Sequence, residues 1–183
     1  MAVTGTFRRL YVFVVIQHGS RRLVRVAITA HPSTAWTLQQ LREVVGFDHS
    51  RRYLIHDRDS IFARSLDESI RNLGWTVLKS PQRSPQANAI CERVIGTIRR
   101  ECLDWLIPLS ESHLRSILRS WVGHCNHGRP PMALGPGVPD PPSVVVPPAT
   151  PLTRHRMGER LGVRARSVLG GLHHEYQLVP ALA

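Results

Sequence analysis

The pattern predicts a mixed α/β domain, on three observations. Short β-branched runs alternate with helically spaced ones, in the order strand, strand, helix, strand, helix, strand, helix, helix, which describes a mixed sheet flanked by helices. A length of 183 residues is ample for a real core. Hydrophobic residues make up 42% and charged ones 20%, close to globular averages, which excludes wholesale disorder.

Each element has a local reason. Leu10 to Ile16 is β-branched and aromatic, too short and too branched for a good helix. His18-Gly19-Ser20 supplies a turn, and Leu23 to Thr29 alternates as a second strand. Ser33 or Thr34 caps a helix through Trp36, Leu38, Leu41 and Val44, with Gly46 as its stop. Tyr53 to His56 reads as a short buried strand ending on Asp57. A helix spaced by Ile61, Leu66, Ile70 and Leu73 ends at Gly74, and Trp75 to Leu78 forms another strand. Ser84 and Pro85 then open a long helix whose buried stripe runs through Ala87, Cys91, Val94, Ile98, Cys102 and Trp105. A last helix spans about Glu111 to His124. Nine of the 14 prolines lie between Pro130 and Pro151, so that stretch reads as an extended linker, followed from Leu152 by a short, basic, solvated tail. The division expected is 1–127 core, 128–151 linker and 152–183 tail.

Charge points to a partner. Lys and Arg number 24 against 13 Asp and Glu, a balance of +11, and Lys79 is the only lysine. Arginine offers planar, bidentate donors suited to phosphate, so a polyanion is the expected partner. The longest clean apolar run, Leu10 to Ile16, is far short of the ~20 residues of a spanning helix, so no membrane role is expected. No small-residue cleavage site follows that run, which argues against an export signal. Cys91, Cys102 and Cys125 make no disulfide framework, as in a cytoplasmic protein. His124-Cys125-Asn126-His127 has no second ligand pair to complete a zinc site. His173-His174-Glu175 reads as part of the solvated tail.

Two carboxylates stand out. Asp57 lies at the carboxyl end of a strand, where open α/β sheets place their ligands. Glu92 follows about 35 residues later on the long helix, with Asn88 and Arg99 on the same flank and Gly96 one turn below, where another molecule can approach the backbone. This suits a hard divalent metal with a phosphodiester over the helix. From spacing alone, two ordinary surface acids are the plainer reading.

The motifs carry more than the spacing does. Ile55-His56-Asp57-Arg58-Asp59-Ser60-Ile61-Phe62, then Ser84-Pro85-Gln86-Ala87-Asn88-Ala89-Ile90-Cys91-Glu92-Arg93 and Gly96-Thr97-Ile98-Arg99-Arg100-Glu101, resemble the catalytic core of retroviral-type integrases and insertion-sequence transposases. The likeness covers about residues 6–139. It implies an RNase H-like fold and an Asp–Asp–Glu triad whose last two members are Asp57 and Glu92, which would hold Mg²⁺ or Mn²⁺. It implies phosphoryl transfer at DNA, with Asn88, Arg93, Arg99 and Arg100 contacting DNA, and homo-oligomers on DNA ends. The family's first Asp lies on the first strand, ahead of the segment matching Thr6 to Leu10, yet no acidic residue precedes Glu43. The expectation is therefore an incomplete first strand and a chain that does not catalyse as it stands. The alternatives are a non-catalytic DNA-binding remnant, or an unrelated basic nucleic-acid-binding protein.

Overall fold

The computed structural model describes residues 1–45, 52–57, 64–81, 88–129, 137–141 and 161–180. Strands β1 (Ala2–Val3), β2 (Arg9–Ile16) and β3 (Leu23–Thr29) form an antiparallel sheet in that order. Helix α1 (Thr34–Val45) starts where Ser33 Oγ accepts the Trp36 N–H at 3.2 Å. Strand β4 (Tyr53–His56) pairs in parallel with β5 (Thr76–Lys79) across α2 (Arg64–Asn72). The turn out of α2 passes through Gly74 at φ 89°, a conformation in which a side chain is strained. Helix α3 (Ala89–Ile98) runs into a π-helical turn, Arg99–Leu103, and α4 (Glu111–His127) begins at Ser110, whose hydroxyl accepts the His113 N–H at 3.1 Å. Strands β6 (Leu161–Val168) and β7 (His173–Pro180) close an antiparallel hairpin.

Strand alternation divides the core in two. Val12, Val14 and Ile16 on one face of β2 pack with Ile98, Cys102, Leu114, Leu118 and Trp121. Phe13 and Val15 on the other face pack with Leu41, Leu66, Ile70, Leu54 and Val77. The result is helices on both faces of the β2–β3 sheet, as a period of two requires of a strand buried on both sides.

Four expectations are corrected. The stripe of the third helix stops at Cys102, and Trp105 is 70% exposed. The π turn inserts about one residue of register, roughly 100°, and rotates Trp105 outward. The strand ending at Asp57 is not buried throughout, since Tyr53 and Ile55 are exposed. Among the described residues its strand partner is β5. Gly96 is not open to another molecule, because the Arg100 guanidinium covers the place where a Cβ would stand. The tail over 161–180 is largely exposed, as expected, but it is a hairpin and it is not detached from the core. Its hairpin docks on α4 through Glu175, which accepts from His124 at 2.9 Å and pairs with Arg166. Burial alone would push the Glu175 carboxyl up, but the Arg166 guanidinium and the His124 ring outweigh it, and the group sits below its ordinary range. His173 stacks on His124 and hydrogen-bonds the Glu101 carbonyl at 2.8 Å, while a Cβ on Gly128 would overlap the Glu175 carboxylate. Ser84, Pro85, Gly46 and most of the proline-rich stretch lie outside the described residues.

Candidate active site

Asp57 is delivered by β4, and the strand end beneath it is tied down. His56 Nε2 meets the Asp67 carboxylate at 3.0 Å, both side chains buried, and the chain's only lysine, Lys79, pairs with the same carboxylate. The Ser80 N–H donates to the His56 carbonyl at 3.0 Å, closing the β4–β5 end. Burial raises the Asp67 carboxyl, but the Lys79 and His56 hydrogen bonds prevail and hold it below the usual carboxylate range. Nothing in the sequence pattern flagged Asp67. The signal available was a lone Lys four residues past Trp75, at a strand end.

Glu92 is delivered by the first turn of α3, exposed, with Asn88 at the N-cap and its side chain not used in capping. A crevice of about 270 Å³ lies between the two carriers, lined by Val12 to Ile16 of β2, Leu54 to Asp57 of β4, and Asn88, Cys91 and Ile95 of α3. β1 pairs only with Arg9 and Leu10, so the rest of that β2 edge faces the crevice. Cys91, read from sequence as a plain core residue, lines this crevice instead. Burial first, then the charges of Asp57 and Glu92, push its thiol above the ordinary value. Asp57 and Cys91 line the same crevice, and Glu92 is the next residue along α3. Asn88 and Cys91, three apart on the helix, share that face.

The predicted arginines separate. Arg93 is exposed on α3 and lines a second cavity. Arg99 is exposed and makes a loose 3.4 Å pair with Asp104, the kind of surface pair that is worth little. Arg100 is exposed and folds back over Gly96. The residues of the weighed zinc motif are used otherwise: His124 holds Glu175, and Asn126 clamps the Leu23 backbone at 2.9 and 3.0 Å. Among the described residues no three His, Cys, Asp or Glu side chains gather as a metal site. Among the same residues no helix is long and apolar enough to cross a membrane.

Residues 74–139 match the integrase core domain. That stretch holds Asn88, Glu92, Arg93, Arg99 and Arg100, while Asp57 lies ahead of it. The fold resembles a chain of the CryoEM structure of simian T-cell lymphotropic virus intasome in complex with PP2A regulatory subunit B56 gamma, with a TM-score of 0.55 at 13% identity. The likeness covers 98% of this chain and 64% of that one, so this chain spans under two thirds of its neighbour's length. No curated protein matches. The integrase-core resemblance and the α/β class with helices flanking the strands, both expected from sequence, stand. Among the described residues the strands pair as separate sheets and not as one mixed sheet.

Proposed function

We propose that this integrase-type core acts on DNA in integration or transposition, with Asp57 and Glu92 as its metal-holding carboxylates. The observation that carries the reading is that Asp57, Asn88 and Cys91 line one crevice, with Glu92 the next residue along α3. Both are exposed, hard-oxygen donors on separate elements, a set that fits Mg²⁺ or Mn²⁺ better than soft or tetrahedral metals. When bound, such ions supply an activated hydroxyl nucleophile and a stabilised leaving oxygen. Asn88 at the N-cap and Arg93, Arg99 and Arg100 along the helix and π turn hold phosphates of the DNA backbone, positioning it without reading sequence. Copies assemble on DNA ends, each presenting this basic flank.

Within these 183 residues no carboxylate stands on β1, β2 or β3, and two acids do not fix a metal pair at the spacing in-line displacement needs. This form therefore binds DNA and does not join it. The test uses labelled DNA with Mg²⁺ or Mn²⁺. This chain is compared with a form carrying an upstream strand that bears an Asp. Both should shift the DNA on a gel, and only the longer form should cleave or join it. Asp57→Asn or Glu92→Gln should then abolish the reaction. Cleavage by the 183-residue form that survives those substitutions would sink the assignment.

A further inference from the structure

A second cavity, of about 420 Å³, lies on the other side of α3, meeting the first at Ile16 and Ile90. Its apolar walls include Ile16, Leu23 and Val94, and its polar lining includes Arg21, Arg93 and Trp121. Two of these polar groups are anomalous. The Trp121 side chain is 2% exposed, and its indole N–H has no hydrogen-bond partner among the described residues. The Arg21 Nη1 is equally buried and equally without a partner. A buried donor left unmatched costs about 1–3 kcal/mol, more when charged. Nearly all buried donors in folded proteins are matched, so two on one cavity call for an acceptor.

The surroundings say which acceptor. The neighbouring acids are already committed: Glu101 grips Arg129 in a two-pronged pair, and Asp140 holds Arg22 at 3.1 Å. Arg93 adds a further exposed positive charge at the wall. The cavity's frame is fixed, since the Asn126 side chain locks the end of α4 to the start of β3, accepting from the Leu23 N–H and donating to the Leu23 carbonyl. Its volume falls in the usual range for small-molecule sites, roughly 300–1,000 Å³.

We infer that this cavity binds a small amphiphilic oxyanion, a carboxylate or phosphate monoester on an apolar body. The oxyanion takes the Trp121 and Arg21 donors, and the body lies against Ile16, Leu23 and Val94. The inference rests on α4 and the β2–β3 hairpin and stands apart from the DNA reading.

The experiment titrates the intact chain with benzoate, phenyl phosphate, inorganic phosphate and neutral benzyl alcohol, following melting temperature and tryptophan fluorescence. Benzoate or phenyl phosphate should bind saturably and raise the melting temperature as binding to the folded state requires. Whichever binds tighter identifies the head group. Trp121→Phe keeps the ring and removes the donor, and Arg21→Met keeps the stem and removes the charge. Each should weaken binding about tenfold, the worth of one hydrogen bond to a charged group. Arg21 is half-buried at the connection between β2 and β3, outside the packed core, so that variant tests the site even if the core substitution unfolds. No saturable binding by either amphiphile, equal binding of benzyl alcohol or inorganic phosphate, or unchanged affinity in a folded Arg21→Met would overturn it.

Discussion

The two faces of β2 look onto cores of different make. On one face, α4 and the far half of α3 press Trp121, Leu114, Leu118 and Cys102 against Val12, Val14 and Ile16. On the other, α1, α2 and the short β4–β5 pair enclose a smaller group around Leu66 and Ile70. Each candidate carboxylate belongs to a different side: Glu92 rides on a helix of the first core, Asp57 on a strand of the second. The site is therefore a seam. Its geometry depends on how two bodies sharing a single strand are held together, and less on either body alone.

The sharpest way to break that comparison is to weaken each core in turn. Leu118→Ala and Leu66→Ala both remove fully packed side chains, and each should cost about 2–5 kcal/mol in urea unfolding. Because alternate residues of β2 serve both cores, neither can melt while the other survives. Both variants should show one transition, coincident by tryptophan fluorescence and circular dichroism. Two separated transitions in Leu66→Ala would mean that the β4 side unfolds on its own, and that the seam is a true hinge.

Much of this arrangement was legible because it follows from period and punctuation. The alternation of β2 and β3, the Ser33 cap, the Gly74 stop and the Leu114-Ile117-Leu118-Trp121 stripe are local facts, and local physics decides them. The π turn was not legible. A stripe stepping by three and four continues smoothly to Trp105, and only the backbone shows an extra residue in the turn. Nor was the docked hairpin. Its strands carry Arg164, Arg166, His174 and Tyr176, and it is anchored by Glu175 to His124 across 51 residues, a polar match that no periodicity announces. The site was half legible. Strand end and helix start each pointed to an acid, but whether Asp57 and Glu92 meet is a question of tertiary distance. Cys91 answers part of it, and its own sequence signal had suggested only core.

A milder probe acts on the Asp57 side alone. Asp67 sits under the β4 end with His56 and Lys79, its carboxyl held below the usual range. A carboxylate whose folded value is depressed lends stability that is fully present above the unfolded value, about 3.9, and is lost as pH falls through the folded one. The chain should thus lose this contribution only in acid, below about pH 4. Asp67→Asn should be less stable by about 3 kcal/mol at neutral pH, since it leaves buried partners uncompensated. Its stability should also fall less steeply as pH drops below about 4. A variant with the parent's acid profile would show that Asp67 does not anchor this end.

The smallest effect reads the seam directly. The Cys91 thiol is pushed up by burial and then by the Asp57 and Glu92 charges, one from each body. Thiolate is the reactive form, so removing a nearby negative charge should speed alkylation of Cys91. At pH 8, iodoacetamide followed by peptide mass spectrometry should show a several-fold faster rate at Cys91 in Asp57→Asn and in Glu92→Gln. Cys102 and Cys125, pushed to about 11 and about 12 by burial first, serve as internal controls and should stay slow in every form. The comparison turns on which variant responds. Acceleration in both places the two acids around one sulfur, as a shared site demands. Acceleration in Glu92→Gln alone would leave Asp57 too distant to act with it, because Glu92 is next to Cys91 in the chain and would be felt there in any fold.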